Sequence, residues 1–288
     1  MPGHDLPPVR AAATLLPWLL ETLSPMSRTR VKELLRDGRV RVNGQPVTRH
    51  DHPLSATDRV TLARDGTARS SAPSLVIIHE DADLLAIDKP AGLLTVATDA
   101  EKQDTAFVRL SEQLQARGAG RPFVLHRLDR GTSGLLLFAR SAAVRDQLQS
   151  QWDGVEKTYL AVVEGAPPSP TGRVENYLRE GKNLRVQARP TPDDGAVRAV
   201  SRYRVVGRKG RYSLVEVSIE TGRKHQIRVH LAGLGCPVVG DADYGAKVDP
   251  VRRLGLHAWR LAFDHPTSGQ RLELESPLPD ELRRLVTK

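Results

Sequence analysis

The segment HRLDRGTSGLLLFARS, residues 126–141, carries the side chain whose type and position best suit catalysis. Asp129 lies between Arg127 and Arg130, and two glycines follow before an apolar run begins. A carboxylate in a cleft can act as a covalent nucleophile and so divide one difficult step into two easier ones. The simpler alternative is a surface ion pair between Asp129 and its neighbouring arginines. This segment alone leaves both interpretations open.

Two further segments accompany it along the chain. Residues 84–95, LLAIDKPAGLLT, indicate a buried strand followed by a loop, and residues 221–245 read TGRKHQIRVHLAGLGCPVVGDADYG. Taken together in this order, the three segments make residues 75–288 closely resemble the RluA-type pseudouridine synthases. Those enzymes isomerise selected uridines of structured RNA to pseudouridine.

The resemblance implies a role for several side chains. The Asp of the H-R-L-D segment is the family's nucleophile, which corresponds to Asp129. The family pairs it with the Arg of the H-Q-I-R segment, here Arg228, and we expect a bidentate contact that orients the carboxylate. Tyr159, in the segment KTY, corresponds to the tyrosine that lies near the uracil and helps to remove the proton from its carbon five. Without the resemblance, Tyr159 would be expected in the core.

The target base is stacked inside folded RNA, so the enzyme must extrude it, and a side chain should fill the vacated space. Arg127 is the candidate for this position, and a plain phosphate contact is the alternative. His126 is expected to shape the loop. Arg223, Lys224 and His225 are expected to face RNA.

The implied reaction breaks a carbon–nitrogen bond, rotates the uracil and forms a carbon–carbon bond, with no net redox change. We therefore expect no cofactor, in line with the absence of a G-x-x-x-x-G-K or G-x-G-x-x-G motif. Whether the carboxylate attacks the sugar or the base stays open. His225, His230 and His257 might suggest a metal, but their spacing does not match that of the known helical zinc motif, and no metal is expected.

A basic segment, SRTRVKELLRDGRVRVNGQPV, occupies residues 27–47. Its basic side chains are Arg28, Arg30, Lys32, Arg36, Arg39 and Arg41. A solvated helix face is the simpler interpretation. Residues 14–64 nevertheless resemble the RNA-binding domain first described in a ribosomal small-subunit protein, which implies docking of structured RNA through shape and phosphate contacts. Pro25 and Met26 depart from the small or basic residues expected there.

The composition agrees with a nucleic-acid partner. The 43 Lys and Arg residues exceed the 34 Asp and Glu residues, for a net charge of +9 and a pI of about 10.0. RNA, DNA or an anionic membrane would fit this charge equally well. The single cysteine, Cys236, excludes an intramolecular disulfide and favours a reducing compartment. Neither a signal peptide nor an apolar run long enough to span a membrane is recognisable, so we expect a cytoplasmic protein.

The sequence also predicts the helices, strands and domains that position these segments. Apolar periodicity predicts two short N-terminal helices at 14–20 and 28–36, followed by a hairpin turning at Asn43-Gly44. Residues 65–74, DGTARSSAPS, have the composition of a linker between domains at 14–64 and 75–288. Further helices are predicted at 105–116, 142–152 and 224–234, and strands at 75–78, 84–87, 135–138, 158–163, 199–206 and 213–219. The expected fold is α+β: a small RNA-binding module and a catalytic domain with a central mixed, largely antiparallel sheet.

Two rival functions belong to other classes. A noncatalytic RNA-binding or ribosome-assembly factor could keep the fold, although the presence of Asp129, Tyr159 and Arg228 argues against it. A hydrolase could use Asp129 as a glycosidase nucleophile, but the matched segments show no second carboxylate. Ribosomal RNA is the expected substrate and transfer RNA the alternative. We expect a monomer without an obligate protein partner.

Overall fold

A computed structural model describes residues 4–36, 38–63, 74–98, 101, 104–181, 185–192 and 195–287. The chain divides into two compact units, residues 1–73 and 74–288. The predicted linker at 65–74 lies, except for its last residue, outside the described part. No helix among the described residues is long and apolar enough to cross a membrane.

The N-terminal unit combines two helices with short strands. Its helices are α1 (Leu15–Thr22) and α2 (Arg28–Arg36). Its strands are β1 (His4–Asp5), β2 (Ala13–Thr14), β3 (Val40–Val42), β4 (Gln45–Pro46), β5 (Pro53–Leu54) and β6 (Val60–Leu62). Apolar side chains of both helices pack on β3 and β6 in one core. The β3–β4 turn has positive φ at Asn43 and Gly44, 53° and 81°, which are the turn conformations that Asn-Gly favours.

The second unit is built on a large sheet. Its strands are β7 (Val76–Glu80), β8 (Leu84–Lys89), β9 (Phe123–Val124), β10 (Ser133–Ala139), β11 (Glu156–Glu164), β12 (Thr171–Glu180), β13 (Val186–Arg189), β14 (Val197–Lys209), β15 (Tyr212–Ile219), β16 (Leu256–Asp264) and β17 (Arg271–Glu275). Its helices are α3 (Ala106–Ala116), α4 (Ala142–Ser150), α5 (Gln226–Gly233) and α6 (Asp280–Val286), with short 3₁₀ turns at Trp152–Gly154 and Ala242–Tyr244.

Within the described residues these strands form one sheet of eleven, in the order β13-β12-β14-β15-β11-β16-β10-β8-β7, with β17 on β16 and β9 on β10. The pairing of β10 with β16 is parallel and the other pairings are antiparallel. Gly134 sits at the parallel pair, where a Cβ would lie 2.2 Å from the Ala258 carbonyl oxygen. Only glycine therefore allows β10 to approach β16 so closely.

Helices cover both faces of the sheet near its middle. The α3 side chains Leu110 and Leu114 share a core with Leu85, and α4 packs against Leu84 on the other face. Because β8 and β10 are covered on both sides, their sequences are continuous apolar runs instead of alternating ones. On the other half of the sheet, α5 packs on β11 and β15.

The predicted fold class and sheet type are confirmed, and the differences lie in particular elements. The α5 helix begins at Gln226, not at residue 224, because His225 has a left-handed backbone that a helix cannot contain. Strands β12, β13, β16 and β17 were not predicted. Polar and charged side chains interrupt the apolar residues of β12, as in TGRVENYLRE, so no clear period-2 pattern identifies it. The β17 strand, RLELE, does alternate polar and apolar residues, and this short pattern was missed.

Candidate active site

Asp129 lies in the loop between β9 and β10, which we call the Asp129 loop, residues 125–132. Its side chain is 33% exposed, so it can be reached from the cleft while it stays anchored in the fold. His126 fixes the loop to the sheet, because its Nε2 accepts the Leu137 backbone N–H at 3.0 Å. Burial, followed by the charge of Lys157, lowers the pKa of His126 to about 3, so the ring stays a neutral acceptor.

The loop after β8 holds the Asp129 loop from the opposite side. The buried hydroxyl of Thr95 donates to the Leu128 carbonyl at 2.9 Å and accepts the Leu128 N–H at 3.0 Å. The Gly92 N–H donates to the Arg130 carbonyl at 2.8 Å, and Arg130 Nε donates back to the Gly92 carbonyl at 2.9 Å. Both neighbours of Asp129 in the chain are therefore tied to one loop.

The side chain of Lys89 also links these two loops by hydrogen bonds. The strand predicted at 84–87 continues to Lys89, which ends β8 and is fully buried where a loop was expected. Its Nζ donates to the carbonyls of Pro90 at 3.0 Å, Leu93 at 2.8 Å and Arg130 at 3.4 Å. Burial lowers the pKa of Lys89 to about 7, although the charge of Asp129 acts in the opposite direction. The position of Lys89, two residues after the apolar run LLAI, was the available signal of its burial.

The cleft in front of Asp129 has a volume of about 520 Å³. It is lined by residues 94–98, 127–131 and 240–243, together with His225, Arg228 and Leu254. A smaller cavity of about 100 Å³ shares Asp129, Arg127, His225 and Arg228 and also contacts Tyr159. The three segments singled out in the sequence thus meet around one carboxylate.

Arg228 does not form the expected bidentate pair with Asp129. Its Nε and Nη2 instead donate to the two carboxylate oxygens of Asp241, each at 2.7 Å, and Nη2 also reaches Asp243 at 3.0 Å. Although both residues are described, no ion pair within 4.0 Å joins Arg228 to Asp129. Arg228 pairs with Asp241 because the Asp241 carboxylate, 1% exposed, needs a cationic partner in its buried position. This contact was not predicted from the sequence.

Arg228 still contributes charge to the cleft. Burial lowers its pKa, but the hydrogen-bonded Asp241 carboxylate more than offsets this effect, and the net pKa is raised. The guanidinium therefore remains a fixed cation. The negative charge of Asp129 acts on it in the same direction, so the two groups interact at a distance without contact.

Tyr159 is half-buried on β11, at a point where the pairing of β11 with β16 shifts register. Such a bulge re-aims a side chain, and here Tyr159 lines the smaller cavity beside Asp129. Burial, followed by the charge of Asp129, raises the pKa of Tyr159. The phenol is therefore protonated at neutral pH, and it presents an aromatic ring and a neutral hydroxyl.

The segment before α5 is fixed by Gln226. Its buried amide oxygen accepts from the Thr221 hydroxyl at 2.8 Å and the Arg223 N–H at 3.1 Å, and its nitrogen donates to the Val200 carbonyl at 2.9 Å. His225 precedes it with φ 55° and ψ 15°. Its Nε2 lies 3.9 Å from Asp129 Oδ2, which makes His225 an ionisable group close to the carboxylate.

The cationic side chains near the cleft that were predicted to contact RNA differ in whether they already have a protein partner. Arg127 is exposed at the rim and has no hydrogen bond or ion pair to any described residue. Arg223 Nε donates to the Arg198 carbonyl at 3.1 Å, and Lys224 pairs with Glu180 at 2.5 Å. Arg127 is thus the more available of these cations for a phosphate or a flipped base.

The basic side chains of the N-terminal unit also divide into two groups. Arg30 pairs with Glu33 at 2.8 Å, Arg39 donates to the Ala63 carbonyl and Arg41 to that of Gly44. The side chain of Arg36 lies outside the described part. The exposed Arg28 and Lys32, one turn apart on α2, have no partner among the described residues.

The three histidines weighed as metal ligands have separate partners. His230 contacts Ser201 and Asn176, and His257 contacts Ser133 and the Ser276 carbonyl. Over the described part of the chain, no group of three or more His, Cys, Asp or Glu side chains is arranged to hold a metal.

Comparison with known families agrees with this geometry. Residues 83–233 match the model of the RNA pseudouridylate synthase family, and residues 20–60 match that of the S4 domain. The first match contains Asp129, Tyr159 and Arg228, and the second contains the basic segment. Both resemblances drawn from the sequence are therefore confirmed.

Relatives match along nearly the whole chain. An RNA pseudouridine synthase of Bacillus subtilis, YlyB, is 33% identical over 93% of this chain and 91% of its own. Ribosomal large subunit pseudouridine synthase D of Pseudomonas aeruginosa is 34% identical over 91% of this chain and 87% of its own. The human RNA pseudouridylate synthase domain containing 4 superimposes with a TM-score of 0.62 at 28% identity, covering 74% of this chain and 94% of its own. The chain thus belongs to the RNA pseudouridylate synthase family and carries an S4 domain before its catalytic domain.

Proposed function

We propose that this enzyme isomerises selected uridines of large-subunit ribosomal RNA to pseudouridine, with Asp129 as nucleophile and without a cofactor. One observation carries the proposal: a partly exposed carboxylate, fixed by its neighbours on both sides, faces a cleft of about 520 Å³ lined by three arginines and a histidine. The relatives named ribosomal large subunit pseudouridine synthase D support the choice of RNA. Transfer RNA is the alternative substrate.

The chemistry requires only side chains. The bond between N1 and C1′ breaks, a bond between C5 and C1′ forms, and the hydrogen at C5 is replaced while N1 gains one. The atoms of the nucleotide are conserved and no oxidation state changes overall. Asp129 can attack C1′ or the uracil ring, and either route divides the isomerisation into steps through a covalent intermediate.

The neighbouring side chains have distinct roles in the proposal. Arg127, free at the rim, occupies the space of the extruded uridine. Arg228 provides a cation that Asp241 holds in place, and it stabilises negative charge near Asp129 without contacting it. Tyr159 lies against the uracil. Because its pKa is raised, it contributes its ring and hydroxyl, and a phenolate base is disfavoured at neutral pH.

The S4 domain provides a second contact with RNA. Arg28 and Lys32 are exposed on α2 and can reach phosphates, so the unit holds structured RNA while the catalytic domain acts on it. This tether increases the local concentration of substrate and makes binding salt-dependent. We extend the proposal to a cytoplasmic monomer that acts without an obligate protein partner.

The test is pseudouridine mapping at nucleotide resolution in ribosomal and transfer RNA of a strain that lacks this gene. Sites in large-subunit RNA should disappear on deletion and return with the wild-type gene. Sites lost only from transfer RNA would change the substrate and leave the reaction intact. If no site changes, the protein is a noncatalytic RNA-binding factor.

A further inference from the structure

We propose that His225 is a further catalytic residue, whose Nε2–H is aimed at the reacting nucleotide by a hydrogen-bond chain through Tyr244. The inference rests on the proposed function, because it takes the nucleotide to lie beside Asp129. His225 lines both the cleft and the smaller cavity, and its side chain is 17% exposed. It therefore borders the space in which the chemistry would occur.

The backbone at His225 is unusual. With φ 55° and ψ 15° it is left-handed, a conformation that few non-glycine residues adopt and that is commoner for Asn, Asp and His than for the others. The fold maintains it through the Gln226 hydrogen bonds on one side and the α5 helix on the other. Strained residues of this kind occur preferentially at functional sites. The conformation turns the imidazole toward Asp129 instead of continuing the helix.

The distance to Asp129 leaves space for a substrate atom. Nε2 lies 3.9 Å from Asp129 Oδ2, which is too long for a hydrogen bond. Among the residues that the structure describes, Nε2 has no other polar partner. A group bound next to the carboxylate can therefore accept a hydrogen bond from this nitrogen without displacing a protein contact.

The contacts of Tyr244 determine which ring nitrogen carries the proton. Its hydroxyl oxygen accepts the Val186 N–H at 3.0 Å and lies 2.8 Å from His225 Nδ1. Among the described residues the hydroxyl proton of Tyr244 has no acceptor other than Nδ1, so this proton forms the bond with Nδ1. Burial raises the pKa of Tyr244, so the hydroxyl keeps that proton. Nδ1 is then the acceptor, and the neutral ring carries its hydrogen on Nε2.

The surroundings keep the ring neutral. The pKa of His225 is lowered, mainly by burial. The negative charges of Asp129 and Asp241 raise this pKa, and the positive charges of Arg228 and Lys224 lower it. The imidazole is therefore uncharged at neutral pH and acts as a hydrogen-bond donor of fixed direction. It also meets the Tyr244 ring edge-on, at 5.6 Å and 83°, which restricts its rotation.

A neutral donor at this position suits the reaction. When the N1–C1′ bond breaks, its electron pair stays with the uracil and charge collects on the carbonyl oxygens. Attack of the carboxylate on the ring likewise places charge on a carbonyl oxygen. In both routes His225 donates from Nε2 to the uracil carbonyl and keeps its proton, and Tyr244 acts as the positioning residue.

The first test measures the tautomer directly. The full-length protein is labelled with ¹⁵N at its nine histidines, and the His225 signals are identified by their loss in His225→Asn. We expect Nε2–H in the wild type at neutral pH and a shift toward Nδ1–H in Tyr244→Phe, which loses only the hydroxyl. A wild-type ring that is protonated on Nδ1, or on both nitrogens, would overturn the proposal.

The second test measures single-turnover release of tritium from large-subunit ribosomal RNA labelled at carbon five of uridine. His225→Asn tolerates the left-handed backbone but cannot reach the Nε2 position, and it should slow release about a hundredfold with unchanged RNA affinity. His225→Gln, whose amide N–H reaches that position, should recover part of the rate. Tyr244→Phe should slow release about tenfold. Wild-type rates in His225→Asn would refute the assignment.

The two proposals fail in different ways. If Asp129→Asn releases tritium at the wild-type rate, the proposed nucleophile is wrong, whatever the His225 tautomer. If Asp129→Asn is inactive but His225→Asn is not, the nucleophile stands and the role of His225 is lost. A purely structural role for Tyr244 predicts a lower melting temperature for Tyr244→Phe with an unchanged His225 tautomer, and this result would also overturn the proposal.

Discussion

The guanidinium of Arg228 forms a two-point ion pair with Asp241, with both N···O distances at 2.7 Å, and makes none with Asp129. The Arg228 cation is therefore held by a carboxylate other than Asp129. In the proposed mechanism, this separation keeps a positive charge near Asp129 and leaves the Asp129 oxygens to the substrate.

Removing the charge of Asp241 should destabilise the protein. Asp241→Asn leaves the buried Arg228 cation without its main partner, and we expect the free energy of unfolding to fall by about 3 kcal/mol. Asp243→Asn is the matched control, because Asp243 contacts the same guanidinium but its side chain is 69% exposed. Its loss should cost less than about 1 kcal/mol. Denaturant unfolding of both variants measures the difference, and equal losses would contradict the account.

Thr95 should matter for the rate more than for RNA binding. Thr95→Val keeps the shape but removes both hydrogen bonds to Leu128, next to the nucleophile. The single-turnover rate should fall about tenfold or more, because small displacements of a reacting group are costly. RNA affinity should not change. Thr98→Val, an exposed change on the same cleft wall, is the control. A drop in affinity at a constant rate would argue against a positioning role.

Lys89 gives a pH dependence of stability whose sign is fixed. Its pKa is about 7 in the folded protein, against 10.5 ordinarily. Between these values the unfolded chain holds a proton that the folded chain has lost, so raising the pH favours folding. The free energy of unfolding of the wild type minus that of Lys89→Met should therefore increase from pH 7 toward 10 by several kcal/mol, at about 1.4 kcal/mol per pH unit. A flat difference would show that folding does not lower the pKa of Lys89.

The exposed pair on α2 should control the salt dependence of RNA binding. Substituting Arg28 and Lys32 by Gln removes two phosphate-directed charges, and the slope of log affinity against log salt should decrease by about 1.5. Arg49→Gln is the control, since Arg49 is paired with Asp51 at 3.0 Å. Filter binding to large-subunit ribosomal RNA at several salt concentrations provides the slopes. Slopes equal to the wild type's would mean that the S4 domain does not touch phosphates through this face.

Much of the framework was predictable because local pattern and burial agree. The α2 helix has the predicted bounds, and the Asn43-Gly44 turn, β8 and β10 lie where apolar runs and turn residues indicated. Three side chains singled out from the motifs, Asp129, Arg228 and Tyr159, line the smaller cavity together. Strands such as β12 were missed because their burial depends on partners distant in sequence.

The partners of side chains could not be predicted. Asp241 lies 13 residues after Arg228, and nothing in that spacing distinguishes it from Asp129 as the partner of the guanidinium. The burial of Lys89 and the paired hydrogen bonds of Thr95 also depend on how two loops meet across 33 to 41 residues of sequence. Such contacts follow from the tertiary fold and have no periodic signature in the chain.

The most direct test of the account compares tritium release and RNA affinity for the wild type and Asp129→Asn, using large-subunit ribosomal RNA labelled at carbon five of uridine. Asn is nearly isosteric with Asp and keeps the fold, but it is a far weaker nucleophile. The account predicts that release is abolished while the dissociation constant stays within about twofold, because one charge among many basic contacts has little effect on binding. Release at the wild-type rate, or a loss of binding equal to the loss of activity, would contradict the assignment of Asp129 as the nucleophile.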